Sequence, residues 1–453
     1  MKTGQLKGSF APGVTCGFAA ACIFYVAAWV THLPALDLQA RVAGPAILIS
    51  WLLGALALGR SVARGQAALA GLVAGVTTSL LILIPLGSAL VETPEGDAPL
   101  PGTSGLATSA VVRAGGFMAV AIVVGFIGTF VGSRLSDAPA RTGRAWLPRF
   151  AAVACVATVP LIAIGGIVTT TDAGMAFPDW PTSDGANMFL YPLSLMARPD
   201  RYFEHTHRLF GAFVGLTVLS LALFTFATER ARGFRIAAAI LFVAVCVQGL
   251  MGAVRVTEDS MSLRFVHGFA AQVFFGCLVG FAVAVSGAWA PVGTLPRDPL
   301  LRRLKLFSTM ALHSCLLQHL LGAMYRHMKY GGSKGVSHIL YTHAALAFVV
   351  FVASIIAVII GSSAAGVAGP LGRPIKRWTT ILGATVSIQF LLGWGAFFAV
   401  MHDKGVLTNP AVATATITTA HQANGALLLG SLVVVWLLSR RAWKATSCPE
   451  PSA

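Results

Sequence analysis

The chain has 453 residues, 56% of them hydrophobic and only 11% charged, with a formal net charge of +16. A water-soluble surface takes roughly a quarter charged residues, so soluble, disordered, collagen-like and disulfide-stapled classes are excluded. What remains is an all-α polytopic membrane protein, and its 48 glycines suit close helix packing in lipid.

A hydrocarbon core roughly 30 Å thick takes about 20 apolar residues to cross. In chain order, twelve such runs lie near 11–31, 43–60, 66–91, 111–133, 150–170, 206–228, 236–255, 264–288, 306–325, 338–361, 378–401 and 414–438. Each backbone N–H in lipid needs a partner within its own segment, so each run predicts a helix. Residues 236–254 do not alternate as barrel strands would.

Twelve spans return both termini to one side. With that side inward, the inner segments hold 21 of the 32 Lys and Arg but only 4 of the 16 carboxylates. This cation bias predicts cytoplasmic termini in a bacterial inner membrane or its equivalent. It also assigns the basic charge to topology and anionic membrane lipid, leaving no nucleic-acid partner to invoke. The first run follows Lys2 and Lys7 like a signal sequence, but its length predicts a retained anchor. Cys16, Cys22, Cys155, Cys246, Cys277 and Cys315 fall in spans and Cys448 in the tail, so no outer-loop disulfide is expected. Without a CxxCH sequence, that motif offers no covalent haem attachment.

The basic linker 132–148 divides four leading spans (1–135) from eight that follow. His32 precedes it; the other ten histidines lie beyond residue 200. The eight spans read as two pseudo-symmetric four-helix bundles, over 150–290 and 305–440. The first helix of each ends in a similar stretch, Gly166–Gly174 or Gly322–Gly331. The second opens on His207 or His343, the third carries Gln248 and Gly252 or Gln389 and Gly393, and the fourth opens on His267 or His421.

Those four histidines begin the even-numbered spans of the second block, toward the outer face. Alternate helices of a bundle face one another, so two imidazoles can approach one central guest. Neutral imidazole on both axial positions holds haem iron; each histidine alone could equally be an interhelical hydrogen-bond donor. Two ligands per site are fewer than structural zinc takes. His327 and His338 border an outer loop and are read as solvated, and His205 as facing water. His313 and His319, inside one span, are read as packing or hydrogen-bonding groups.

Spacings of three and four put Glu204, His207 and Arg208 on one helix face. Such a carboxylate can bond substrate, relay protons or position oxygen, or can simply pair with Arg208. Leu340 stands at the matching place in the other copy, so one site is reactive and the other holds electrons.

At these residues the chain resembles the haem A synthase family, over about 150–440. Its E-x-x-H-R motif matches Glu204, His207 and Arg208. Its first outer loop matches Gly165, Gly166, Gly174 and Pro178-Asp179-Trp180-Pro181, and its other histidines match His267, His343 and His421. The resemblance implies an enzyme that hydroxylates a methyl group of haem O twice, giving the formyl group of haem A for cytochrome oxidase. It implies substrate haem O between His207 and His267, and a permanent haem b between His343 and His421. Glu204 would be the catalytic carboxylate, with Arg208 orienting it or pairing with a propionate. It further implies an external ferredoxin-like electron donor, with haem O synthase, cytochrome oxidase and a second copy of the chain as candidate partners. Thr169 stands where many members have arginine, for which Arg255 or Arg326 could compensate; the loop cysteine pair of some members is absent. The four leading spans have no counterpart and are read as non-catalytic. Two other functions compete: a di-haem electron carrier using the same histidines, and a transporter, against which the four-plus-eight division and like-oriented copies argue.

Overall fold

The computed structural model describes residues 2–36, 38–91, 106–141, 143–289, 292–330, 336–402 and 412–446. Gly331 and Cys448 lie outside them. Twelve long helices dominate: α1 (Lys2–Thr31), α2 (Ala40–Gly59), α3 (Ala67–Leu86), α4 (Ala110–Arg134), α5 (Gly143–Thr170), α6 (Pro199–Thr228), α7 (Arg232–Thr257), α8 (Met261–Ala284), α9 (Pro299–Tyr330), α10 (Val336–Ala364), α11 (Gly372–His402) and α12 (Val412–Lys444). All twelve expected runs fall on them. The third is cut short: α3 ends at Leu86, just after Pro85, and a single 3-10 turn covers Gly87–Ala89. Among the described residues, eleven helices are long and apolar enough to cross a membrane. The twelfth, α9, is diluted by Arg302, Arg303 and Lys305 near its start and by polar residues facing its neighbours. The protein is therefore an integral membrane protein of all-α class.

The chain forms two compact units, one of residues 1–164 and 172–242, the other of 165–171 and 243–453. In the first, α1 and α4 each pack against both α2 and α3, closing a ring of four. Small residues let the backbones touch, as expected where lipid supplies no hydrophobic drive between helices. A methyl on Gly75 of α3 would stand 2.6 Å from Ile122 Cα of α4, and one on Gly125 would stand 2.5 Å from Gly75 Cα. The ring is tied to α5 and α6 by aromatic contacts: Tyr25 stacks on Phe213 at 4.5 Å and Phe18 meets Phe150 at 5.1 Å. Tyr202 of α6 donates to the Trp29 carbonyl at 2.6 Å.

In the second unit, α9 packs on α10, α10 on α11, α11 on α12 and α12 on α9, a closed four-helix bundle, with α8 set against α9 and α12. One end is filled by Leu301, Leu304, Ala357, Leu382, Leu432 and Leu438, all nearly inaccessible. Hydroxyl pairs cross between helices, Ser308 with Ser439 at 2.9 Å and Thr385 with Ser431 at 3.2 Å. Because the ring runs in chain order, α10 and α12 are diagonal and face each other across the core.

Candidate functional site

The loop between α5 and α6 is built around the Glu204–Arg208 pair. Pro178-Asp179-Trp180-Pro181 leads into a hairpin of β1 (Thr182–Ser183) and β2 (Ala186–Asn187). Its turn residues Asp184 and Gly185 both have positive φ, 52° and 75°, as a tight two-residue hairpin requires. The Asp179 carboxylate accepts from the backbone N–H of Asp184 at 3.0 Å and of Gly185 at 2.8 Å. Burial alone would raise its pKa. These bonds and one from the Thr182 side chain outweigh that and hold it below the usual carboxylate range.

Phe177 is the loop's anchor, fully buried against Tyr191 and beneath the guanidinium groups of Arg201 and Arg208. Its N–H donates to Glu204 Oε2 at 3.0 Å, and its carbonyl accepts from Arg208 at 2.9 Å. Arg208 also donates to Glu204 Oε1 at 2.7 Å and to the carbonyls of Asp179 and Thr182 at 2.9 and 2.8 Å. The pair is buried, with 2% and 8% of the two side chains accessible. A buried carboxylate is tolerated when every donor around it is supplied, and here helix and loop supply them together. Helical spacing alone brings Glu204 and Arg208 together; the loop contacts are added by the tertiary fold.

His205 corrects its sequence reading. Expected in water, it is fully buried between Phe177 and Tyr191, 5.9 and 5.3 Å from their ring centres. The loop folds over the start of α6 and covers a position that the bare helix would expose. His207 lies half-buried on the same helix. His207 belongs to the first unit and His267 to the second.

In the second unit the bundle brings His343 of α10 and His421 of α12 together, ring centres 6.3 Å apart and planes at 76°. Metal–nitrogen bonds of about 2 Å, with each imidazole centre about 1 Å beyond its nitrogen, put two opposed ligands roughly 6 Å apart. The spacing thus suits one metal ion clasped from both sides. His343 Nδ1 lies 3.2 Å from the Gln318 carbonyl, which accepts its proton and leaves Nε2 as the free ligand atom. Among the described residues no group of three or more His, Cys, Asp or Glu is arranged to hold a metal ion. A pair of imidazoles supplies two ligands, so a macrocycle carrying the others fits where a bare ion would not.

The remaining histidines divide. His313 and His319 bond carbonyls of their own helix, Thr309 and Cys315, both at 2.8 Å, as expected of packing groups. His338 is exposed. His327 is only half-buried and lies against Gly268 of α8, so it is not the freely solvated group expected. Arg326, one of the two arginines suggested to compensate for Thr169, donates to the Gly166 carbonyl at 2.7 Å and to Thr170 and Gln422. Thr169 turns back to the carbonyl of Gly165 at 2.9 Å. The residues at these candidate sites that the sequence left unmarked are Phe177, whose signal was its place beside the PDWP stretch, and Gln318.

Residues 148–334 match the family described as cytochrome oxidase assembly protein. The chain is 32% identical over 151 residues to the heme A synthase of Chelativorans sp. (strain BNC1), covering 31% of this chain and 41% of that one. It is 33% identical over 156 residues to the heme A synthase of Methylobacterium sp. (strain 4-46), covering 31% and 40%. The chain thus spans about two fifths of the length of the curated relatives it matches.

Proposed function

We propose, from the match of residues 148–334 to the cytochrome oxidase assembly protein family and the likeness to two heme A synthases, that this integral membrane protein is an oxidoreductase converting haem O to haem A for cytochrome oxidase assembly. Two four-helix repeats, 150–290 and 305–440, carry the work, and residues 1–135 support the helix bearing Glu204. His207, three residues after Glu204, is the ligand of substrate haem O in the first unit, and His343 and His421 hold haem b in the second, toward the outer face with both termini cytoplasmic. Haem iron supplies electron storage when bound. Glu204 is the group that would hold or move a proton for the substrate, and Arg208 aims it, since its hydrogen bonds run to Glu204 and to loop carbonyls. Electrons come from an external ferredoxin-like donor; haem O synthase and cytochrome oxidase are the partners before and after this step.

The observation that carries this reading is the asymmetry of the two sites. One has a buried carboxylate three residues before a histidine; the other has two facing imidazoles and Leu340 where that carboxylate would stand. The test is pigment extraction from a Glu204→Gln protein expressed with haem O. It is expected to retain haem b and accumulate haem O, whereas normal conversion would remove Glu204 from catalysis. One observation favours a second reading, a di-haem electron carrier: Arg208 and the Phe177 N–H take up both oxygens of Glu204. That reading requires haem b at both sites of the wild-type protein and no haem O or haem A.

A further inference from the structure

Three helices carry the same short pattern, Gln-x3-Gly: Gln248–Gly252 on α7, Gln318–Gly322 on α9 and Gln389–Gly393 on α11. In each case the histidine of the following helix rests on it. A methyl on Gly252 would stand 3.0 Å from Cε1 of His267, one on Gly322 3.0 Å from Cε1 of His343, and one on Gly393 3.2 Å from Cε1 of His421. Each ring also meets the backbone of the glutamine four residues earlier, Gln248, Gln318 or Gln389.

Helix geometry explains the spacing. The carbonyl of residue i points at the N–H of residue i+4, so a ring from a neighbouring helix reaches that carbonyl only across residue i+4. Glycine there opens the way. The glutamine side chain then closes on the same histidine. Gln248 Nε2 donates to the His267 carbonyl at 2.7 Å and lies 3.2 Å from its Nδ1. Gln318 Nε2 donates to the His343 carbonyl at 2.8 Å. Gln389 Nε2 lies 3.2 Å from His421 Nδ1 and 3.4 Å from its Nε2, and its own oxygen accepts from Asn424 at 2.8 Å, which sets the amide's orientation.

We propose that Gln-x3-Gly is an imidazole cradle, and that Gln248, Gln318 and Gln389 are positioning residues fixing the place and plane of His267, His343 and His421 toward haem iron. The inference rests on the haem reading above and adds to it the residues that set the ligands. On α5 the corresponding register reads Ile162-x3-Gly166, so the amide is confined to three of the four helices that precede a candidate-ligand helix.

The test uses the full-length purified protein and electron paramagnetic resonance of its low-spin ferric haem, with haem retention on washing as a second readout. Gln318→Met and Gln389→Met keep side-chain length and remove the amide. They are expected to shift the low-spin g values and to weaken haem retention by about 10–100-fold, the usual cost of losing a partner behind a metal ligand. Gly322→Ala and Gly393→Ala should abolish the low-spin signal by displacing the ring. Gln272→Met, a buried glutamine of α8 outside the pattern, should leave the signal unchanged. If the methionine variants keep wild-type g values and retention, or if Gln272→Met shifts them equally, the cradle is overturned while the haem reading stands. Wild-type protein without low-spin haem overturns the haem reading itself. If the alanine variants do not fold, the methionine variants decide alone.

Discussion

The Glu204 site of the first unit and the paired histidines of the second solve opposite problems. A carboxylate in a membrane protein is costly and persists only when enough donors surround it. Glu204 therefore sits on a helix whose own Arg208, together with a folded loop, takes up its charge. Imidazole is neutral when it ligates, so the candidate ligands His343 and His421 need no counter-charge, only groups that orient the ring. Their fixing groups are backbone and amide, with no counter-charge. The contrast teaches that the first site is held by charge and loop folding, and the second by helix packing with neutral hydrogen bonds.

The comparison can be broken most directly at the ligands. On the proposed function, His343→Ala and His421→Ala should each remove nearly all low-spin haem b absorbance, while Glu204→Gln retains it; the visible spectrum of purified protein reads this. Equal loss in all three variants would mean that the two sites are not separable.

Arg208→Ala comes next. It leaves Glu204 buried without its cation and strips the donor from three loop carbonyls, a loss of about 3–5 kcal/mol for a broken buried pair. Proteolysis of the 171–198 loop and a lower Tm should report it. Arg208→Lys should recover only part, because an ammonium cannot reproduce the guanidinium fork.

The smallest effect sharpens the electrostatic half of the contrast. The lowered pKa of Asp179 means that its contribution to the loop is present above the ordinary carboxylate value, about 4, and is lost as pH falls from there through the lowered value. Loop proteolysis should therefore rise on acidification below that range, and Asp179→Asn should flatten the rise. The visible spectrum of the haem proposed for the second unit should not follow it.

Much of this architecture was legible in the chain. Twelve apolar runs gave the helices because lipid leaves a backbone no other way to satisfy itself. The spacing of Glu204 and Arg208 gave the ion pair because residues four apart share a helix face. His205 was misread for the same local reason: periodicity describes a bare helix and contains no information about a loop that folds back over it. The seat of His327 against α8 was equally invisible, since it depends on which neighbour a helix meets.

What the sequence determined by itself is periodic or compositional: membrane class, helix number, the candidate ligands and the acidic asymmetry between repeats. Only the tertiary structure decided that α10 and α12 stand diagonally, bringing His343 and His421 to 6.3 Å, and that Arg326 reaches Gly166 and Thr170. Only the fold showed that the glutamines stand behind the histidines. The physical reason is range. Hydrogen bonding within a helix and transfer into lipid act residue by residue, whereas a ring's partner is fixed by helices far apart in the chain that pack only once the bundle closes.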